Sequence, residues 1–274
     1  MAPYGSGNPD GEPTMEKRTM TTPAIGLQLY SVRGECSKDL AATLKAVAEI
    51  GYVGAEPYGY RGDEVAWLGH SAQAVRGMFD DAGLICCGMH ISTDALLGDN
   101  LARTIELNQI LGNKFLIVAA DGPRTKSVAG IAELAGILND AAAELAPLDL
   151  FTGYHAHPFD AAEIEGIPAW FRLFRQTNPE VVMQMDVGNY LAGDGDPIGA
   201  MKEFVGRART VHVKDYNAPL TGAIGTGEAP VAEFLELCET IHPTEWYVVE
   251  ECAPQGLGFE VVQRAYDALK AMGK

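Results

Sequence analysis

Apolar residues fall along the chain in short runs separated by longer stretches of helical period. The runs are 25–30 (IGLQLY), 52–56 (YVGAE), 84–90 (LICCGMH), 114–119 (KFLIVA), 150–155 (LFTGYH), 181–187 (VVMQMDV), 209–213 (RTVHV) and 246–250 (WYVVE). Each has the length of a strand. The intervening stretches read as amphipathic helices. In SKDLAATLKAVAEIG, Ser37 is the expected N-cap, Leu40, Leu44 and Val47 form one stripe, and Gly51 stops the helix. NLARTIELNQILG, SVAGIAELAGILNDAAAEL, VAEFLELCETI and FEVVQRAYDALKAMG follow the same logic. Eight strands, each with a helix after it and recurring about every 30 residues, predict a single-domain α/β (β/α)8 barrel over 23–274. A doubly wound open sheet is the alternative. The first strand-to-helix turn, YSVRGECS, carries no Gly-x-Gly-x-x-Gly phosphate loop, so a dinucleotide fold has little support.

Successive strand residues face opposite ways, and nearly every run places its polar residue at the carboxyl end. Strand 1 offers Gln28 and Tyr30, strand 2 Glu56, strand 3 His90, strand 5 His155 and His157, strand 6 Asp186, strand 7 His212 with Lys214 two further on, and strand 8 Glu250. A barrel builds its active site at that end. Ionisable groups gathered there cost desolvation unless they are paired or put to use.

Composition narrows the partners. The 274 residues are 47% hydrophobic and 21% charged, enough for a large core. A formal net charge of −17 argues against nucleic acid and anionic membranes, and there is no apolar run long enough to span a bilayer. Five cysteines with no Cys-x-x-Cys fit free thiols in a reducing cytoplasm; Cys86 and Cys87 read as buried. Residues 1–22 have no apolar period and no signal-peptide core, and are expected to form a flexible tail.

Imidazole and carboxylate ligands suit one divalent ion. His155, Asp186, His212 and Glu250 come from consecutive strands 5 to 8 and can close on such an ion. Each also has a plainer reading: His155 or His157 as a packed core histidine, Asp186 as a turn cap. Glu251 is expected to be solvated, and His70 and His242 to lie on the surface.

The motifs IGLQLYSVR, GYVGAEPYGY, GYHAHPFD, VVMQMDVGNYLAGDGDP, GRARTVHVKDY and EWYVVEE together resemble the sugar phosphate isomerase/epimerase superfamily, with its xylose isomerase-like TIM barrel, from about Ile25 to Gly273. The resemblance implies a small-molecule carbohydrate substrate and one divalent metal on His155, Asp186, His212 and Glu250. It makes His157 the group that contacts substrate or moves a proton. Many superfamily members have Glu where this chain has His155. Two carboxylates and two imidazoles leave a bound divalent ion neutral, which favours Mn, Co, Fe, Ni or Zn over Mg. TGEAPV departs from the Gly-Glu-Gly of relatives and leaves Glu228 as a loop carboxylate.

The expected chemistry is proton abstraction next to the carbonyl of a keto sugar or sugar phosphate, through an enediolate, with Glu250 or His157 as base. Gln28, Tyr30, Glu56 and His90 are expected to line the opposite wall and bind hydroxyls, with Glu56 a possible second acid or base. Lys214 would hold a substrate oxygen or phosphate. Trp67, Tyr58 and Tyr190 offer sugar-stacking surface or plain packing. The same site serves isomerase, epimerase, and β-eliminating lyase or hydratase on a 3-keto glycoside. A non-enzymatic sugar-binding protein and a metal-dependent endonuclease are rival classes. Six histidines and the acidic surface weigh against the endonuclease. A homo-oligomer is suggested only by analogy with other barrels.

Overall fold

The computed structural model describes residues 22–252 and 258–274. The expected tail at 1–22 lies outside the described residues apart from Thr22. Eight parallel strands form the wall of a barrel. They are β1 (Ala24–Gln28), β2 (Gly54–Glu56), β3 in two pieces (Ile85–Cys86 and Met89–Ile91), β4 (Phe115–Val118), β5 (Phe151–His155), β6 (Val182–Gln184), β7 (Thr210–Val213) and β8 (Trp246–Val249). One ladder runs β7-β8-β1-β2 to the first piece of β3, and the other runs β6-β5-β4 to its second piece. The seam between β6 and β7 is closed by backbone bonds from Met183 N–H to the Arg207 carbonyl (3.0 Å) and from His212 N–H to the Met185 carbonyl (2.9 Å). A bridge between Asp186 and His212 completes it. A closed ring leaves no exposed edge.

The third strand is not the continuous run expected over 84–90. It breaks at Cys87–Gly88, where the Glu56 side chain lies against Gly88: a Cβ there would come within 2.2 Å of Glu56 Oε1. The helix over Leu40–Ile50 buries Leu40, Leu44 and Val47 and ends at Gly51, whose φ of 119° suits glycine. Its N-cap is Asp39, not Ser37. Asp39 has the extended backbone a cap needs and accepts from Ala42 N–H at 2.9 Å, whereas Ser37 is helical and closes the short helix Arg33–Cys36. Ser127 caps Val128–Leu145, its Oγ accepting from Gly130 N–H at 3.0 Å.

The main core lies between the strands and the surrounding helices. A second apolar cluster, Phe115, Ile117 and Val182 with Phe151 and Trp246 packed on it, fills the interior toward the amino ends of β4, β5, β6 and β8. It leaves the carboxyl ends for polar side chains. His242 is not a surface residue. It is 1% exposed, its Nδ1 accepts from Ala208 N–H, and its Nε2 faces the Met201 carbonyl. Burial pushes its pKa down to about 4. His70 is half-buried in a two-residue hairpin ladder, paired with Trp67. All five cysteines are free; Cys36, Cys86, Cys87 and Cys238 are buried. Among the described residues no helix is long and apolar enough to cross a membrane.

Candidate metal centre and active site

Four side chains from consecutive strand ends meet at one point. His155 closes β5, Asp186 follows β6, His212 lies in β7 and Glu250 follows β8. One ligand atom from each falls within 4.8 Å of all the others, and all four residues are buried. Pairing register explains the convergence: Gln184 lies opposite His155, and Asp186 bridges to His212.

Two of the four leave buried polar atoms without partners. Both ring nitrogens of His155 and Oδ2 of Asp186 accept or donate nothing. An orphaned buried polar atom costs about 1–3 kcal/mol, and three in one cluster mark a place built for something else. Burial, then the neighbouring His212, His90, His157 and Lys214, holds His155 well below the ordinary histidine pKa, so it is a neutral donor. Burial raises Asp186 to about 6, opposed by Lys214. Asp186 is also the N-cap of the short helix Val187–Ala192, through Oδ1 and Asn189 N–H at 2.7 Å. The cap uses one oxygen and leaves the other aimed at the cluster, so the two sequence readings of Asp186 are compatible. Two imidazoles and two carboxylates are a donor set that fits a divalent transition ion.

His212 is held on both sides. Nδ1 lies 2.7 Å from Glu250 Oε2 and Nε2 lies 2.7 Å from Glu56 Oε2. Burial alone would lower its pKa, but the Glu56 charge and the bonds to Glu250 and Glu56 outweigh burial and raise it to about 10. Glu250 moves the other way: the His212 bond and the charges of His212, His90 and Lys214 overcome burial and hold it below the usual carboxylate range. Its Oε1 takes a contact from Cys252 Sγ at 3.1 Å.

Around this centre the other sequence candidates separate. His157 is half-buried just beyond β5, edge-on to His155 (ring centroids 5.0 Å apart, 85° between planes) and stacked on Phe159. Its Nδ1 is buried without a partner. Burial lowers its pKa to about 4. Lys214 is not a free surface lysine: it is partly buried and Nζ donates to Asn189 Oδ1 at 3.0 Å. Against burial, the Asp186 carboxylate raises its pKa. Gln28, Glu56 and His90 are buried and bonded into one network. Gln28 Nε2 donates to Glu56 Oε2 (2.8 Å), and His90 Nε2 lies 2.8 Å from Gln184 Oε1. His90 also stacks on His212, centroids 4.9 Å and planes 10° apart.

Tyr30 stands apart. The chain leaves β1 at Gln28 and turns, so Tyr30 is exposed on that turn, edge-on to Tyr58 and under the Arg33 guanidinium. Glu251 is not solvated. It is buried, its backbone N–H donates to Ser31 Oγ at 3.0 Å, and burial raises its carboxyl to about 7. Trp67 and Tyr190 are buried packing residues. Glu228 is an exposed loop carboxylate that accepts from Asn217. Sequence reasoning left Gln184 without a role although it shares a face with Asp186; that period-2 relation was the signal. It missed Asp160, which fixes the His157 backbone by accepting its N–H at 2.9 Å; the signal was local, a carboxylate three residues after His157 with Pro158 between them, the spacing of a capping box.

Comparison with known proteins agrees with this architecture. A family model described as "Xylose isomerase-like TIM barrel" matches residues 44–272. A sugar phosphate isomerase/epimerase from Parabacteroides distasonis superposes with a TM-score of 0.78 at 22% identity, covering 92% of this chain and 95% of that one. A D-psicose 3-epimerase superposes at 0.61 with 14% identity, over 91% and 97%. A probable 3-DHS dehydratase from Bacillus anthracis superposes at 0.58 with 14% identity, over 92% and 99%. At these identities the superpositions speak to fold alone. No curated protein sequence matches. From the family match over residues 44–272 and the barrel itself, the chain belongs to the xylose isomerase-like TIM barrel family.

Proposed function

We propose that the chain is a divalent-metal-dependent isomerase or epimerase acting on a keto sugar or sugar phosphate. The observation that carries this reading is the buried set His155, Asp186, His212 and Glu250, with the nitrogens of His155 and one oxygen of Asp186 unpartnered. A divalent ion there supplies Lewis acidity to the carbonyl and adjacent hydroxyl of the substrate. With two neutral imidazoles and two carboxylates the site suits Mn, Co, Fe, Ni or Zn better than Mg.

The chain's own groups handle the proton. Glu250, ionised beside His212 and Lys214, is the carboxylate assigned to take the proton from the carbon next to the carbonyl; the pull of those neighbours makes it a weaker base than a free carboxylate. His157, neutral at pH 7, stands beside His155 with a free Nδ1. It serves as the partner that gives or takes the second proton. Lys214 places a cation for a substrate oxygen or phosphate, and Tyr30 offers an exposed ring near the mouth. Unpaired thiols suit a reducing compartment such as the cytoplasm.

One observation favours β-elimination as the second reading. The two proton-handling groups differ in kind, a carboxylate and an imidazole. Such a pair suits one group taking the α-proton while the other delivers a proton to a leaving hydroxyl or glycoside. Incubation of the metal-loaded protein with keto sugars and 3-keto glycosides in D₂O, followed by NMR, tests both. Deuterium at the α-carbon with the sugar otherwise conserved supports isomerase or epimerase; release of water or an aglycone supports the lyase. No exchange with any of them contradicts the proposal.

A further inference from the structure

We propose that Glu56 is a positioning residue that turns Nδ1 of His212 toward the metal, and that Gln28, Gln184 and the missing side chain at Gly88 hold it there; this rests on the metal reading above. Glu56 has no accessible surface. Both of its oxygens are taken by the protein, so it does not line a wall for substrate hydroxyls. Oε2 accepts from Gln28 Nε2 at 2.8 Å and faces His212 Nε2 at 2.7 Å, while Oε1 accepts from Gln184 Nε2 at 3.0 Å.

Each surrounding amide is itself oriented. Gln28 Oε1 accepts from Tyr30 N–H, which leaves its NH₂ for Glu56. Gln184 Oε1 faces His90 Nε2, which leaves its NH₂ for Glu56 as well. The carboxylate therefore sits in a ring of donors. An ionised carboxylate only accepts, so the His212 nitrogen facing it carries a proton. Ionised Glu250 faces Nδ1 in the same way, so both ring nitrogens carry protons before an ion binds. Nδ1 is the nitrogen inside the ligand set, so its proton is the one an ion displaces, while Glu56 keeps the proton on Nε2 and the lone pair is left on Nδ1. The backbone is shaped to allow this. Glu56 lies beside Gln28 in register, and the third strand breaks where a side chain at Gly88 would collide with Glu56.

Three measurements test the assignment. In wild-type protein loaded with Zn²⁺, long-range ¹H–¹⁵N spectra should show His212 with metal on Nδ1 and a proton on Nε2. Co²⁺ titrations against a competing chelator should give binding about 10–100-fold weaker for Glu56→Gln than for wild type, with an altered visible spectrum. Gly88→Ala, which displaces the carboxylate without removing it, should shift Co²⁺ affinity and spectrum in the same direction. Far-UV circular dichroism of the metal-free variants checks that they are folded. Metal on Nε2 of His212, or wild-type affinity and spectrum in folded Glu56→Gln, overturns this inference and leaves the metal reading standing. Failure of the wild type to bind either ion overturns both.

Discussion

His155 Nε2 lies 3.7 Å from Glu250 Oε2, and neither nitrogen of that buried ring has a hydrogen-bond partner. An imidazole in this state is what the proposed metal site requires of His155. His155→Ala is expected to bind Co²⁺ or Zn²⁺ at least tenfold more weakly while remaining folded, read by chelator competition. His155→Glu restores a third carboxylate and makes the bound ion's environment net negative, so its preference should move toward Mg. Parallel titrations with Mg²⁺ and Co²⁺ check this; an unchanged ratio between the two ions contradicts it.

Metal binding is expected to depend on pH through two groups. In the metal-free protein His212 titrates near 10 and Asp186 near 6. Both must be free of their protons at the ligand atom to bind an ion. Protons compete, so apparent affinity should rise with pH. The slope should be about tenfold per pH unit between 7 and 9, where only His212 releases a proton, and steeper below 6, where Asp186 adds a second. His155 sits well below the ordinary range and contributes no slope near neutrality. Chelator competition from pH 5 to 9 measures this, and a flat profile contradicts it.

The same His212 shift sets a stability trend. Its folded pKa lies above the ordinary value near 6.5. The stability it gives the metal-free protein is therefore full below about pH 6 and is lost as pH rises through about 10. Urea midpoints of wild type at pH 7 and 9.5, set against His212→Leu, should show a difference that shrinks at the higher pH.

His157 and Glu250 should separate kinetically. His157→Asn is expected to keep its metal and to lose about 10²–10⁴ in kcat. Glu250→Gln removes a ligand and a base together, and should lose metal and rate alike. Metal analysis beside turnover distinguishes them. A His157 variant with wild-type kcat would return that residue to packing.

His242 provides a control far from this chemistry. His242→Leu leaves the Ala208 N–H and the Met201 carbonyl without their ring partner, at a cost of about 1–3 kcal/mol. The thermal midpoint should fall, with Co²⁺ affinity unchanged.

The alternation of strand and helix was legible because period 2 and period 3.6 are imposed by burial, and the polar strand ends were legible because they interrupt that burial. Registry was not. Nothing local says that Gln184 lies opposite His155, or that Glu56 reaches His212 across the barrel, since both relations depend on which strands are neighbours. Glu251 misled because adjacent residues of a strand face opposite ways, but the chain has left β8 by then and both glutamates turn inward. His242 misled because Pro243 beside it reads as a surface turn, whereas the ring fills a gap between two backbone segments. The break in β3 was masked by an apolar run, and the close approach of Glu56 to Gly88 comes from a different strand.

The most direct test of the account is metal content per chain of protein purified without added metal, by elemental analysis and native mass spectrometry, for wild type and Asp186→Ala. The account predicts close to one equivalent of Mn, Co, Fe, Ni or Zn in wild type and a large loss in the variant. A metal-free wild type that takes up no ion on addition, or one that binds Mg in preference, would contradict it.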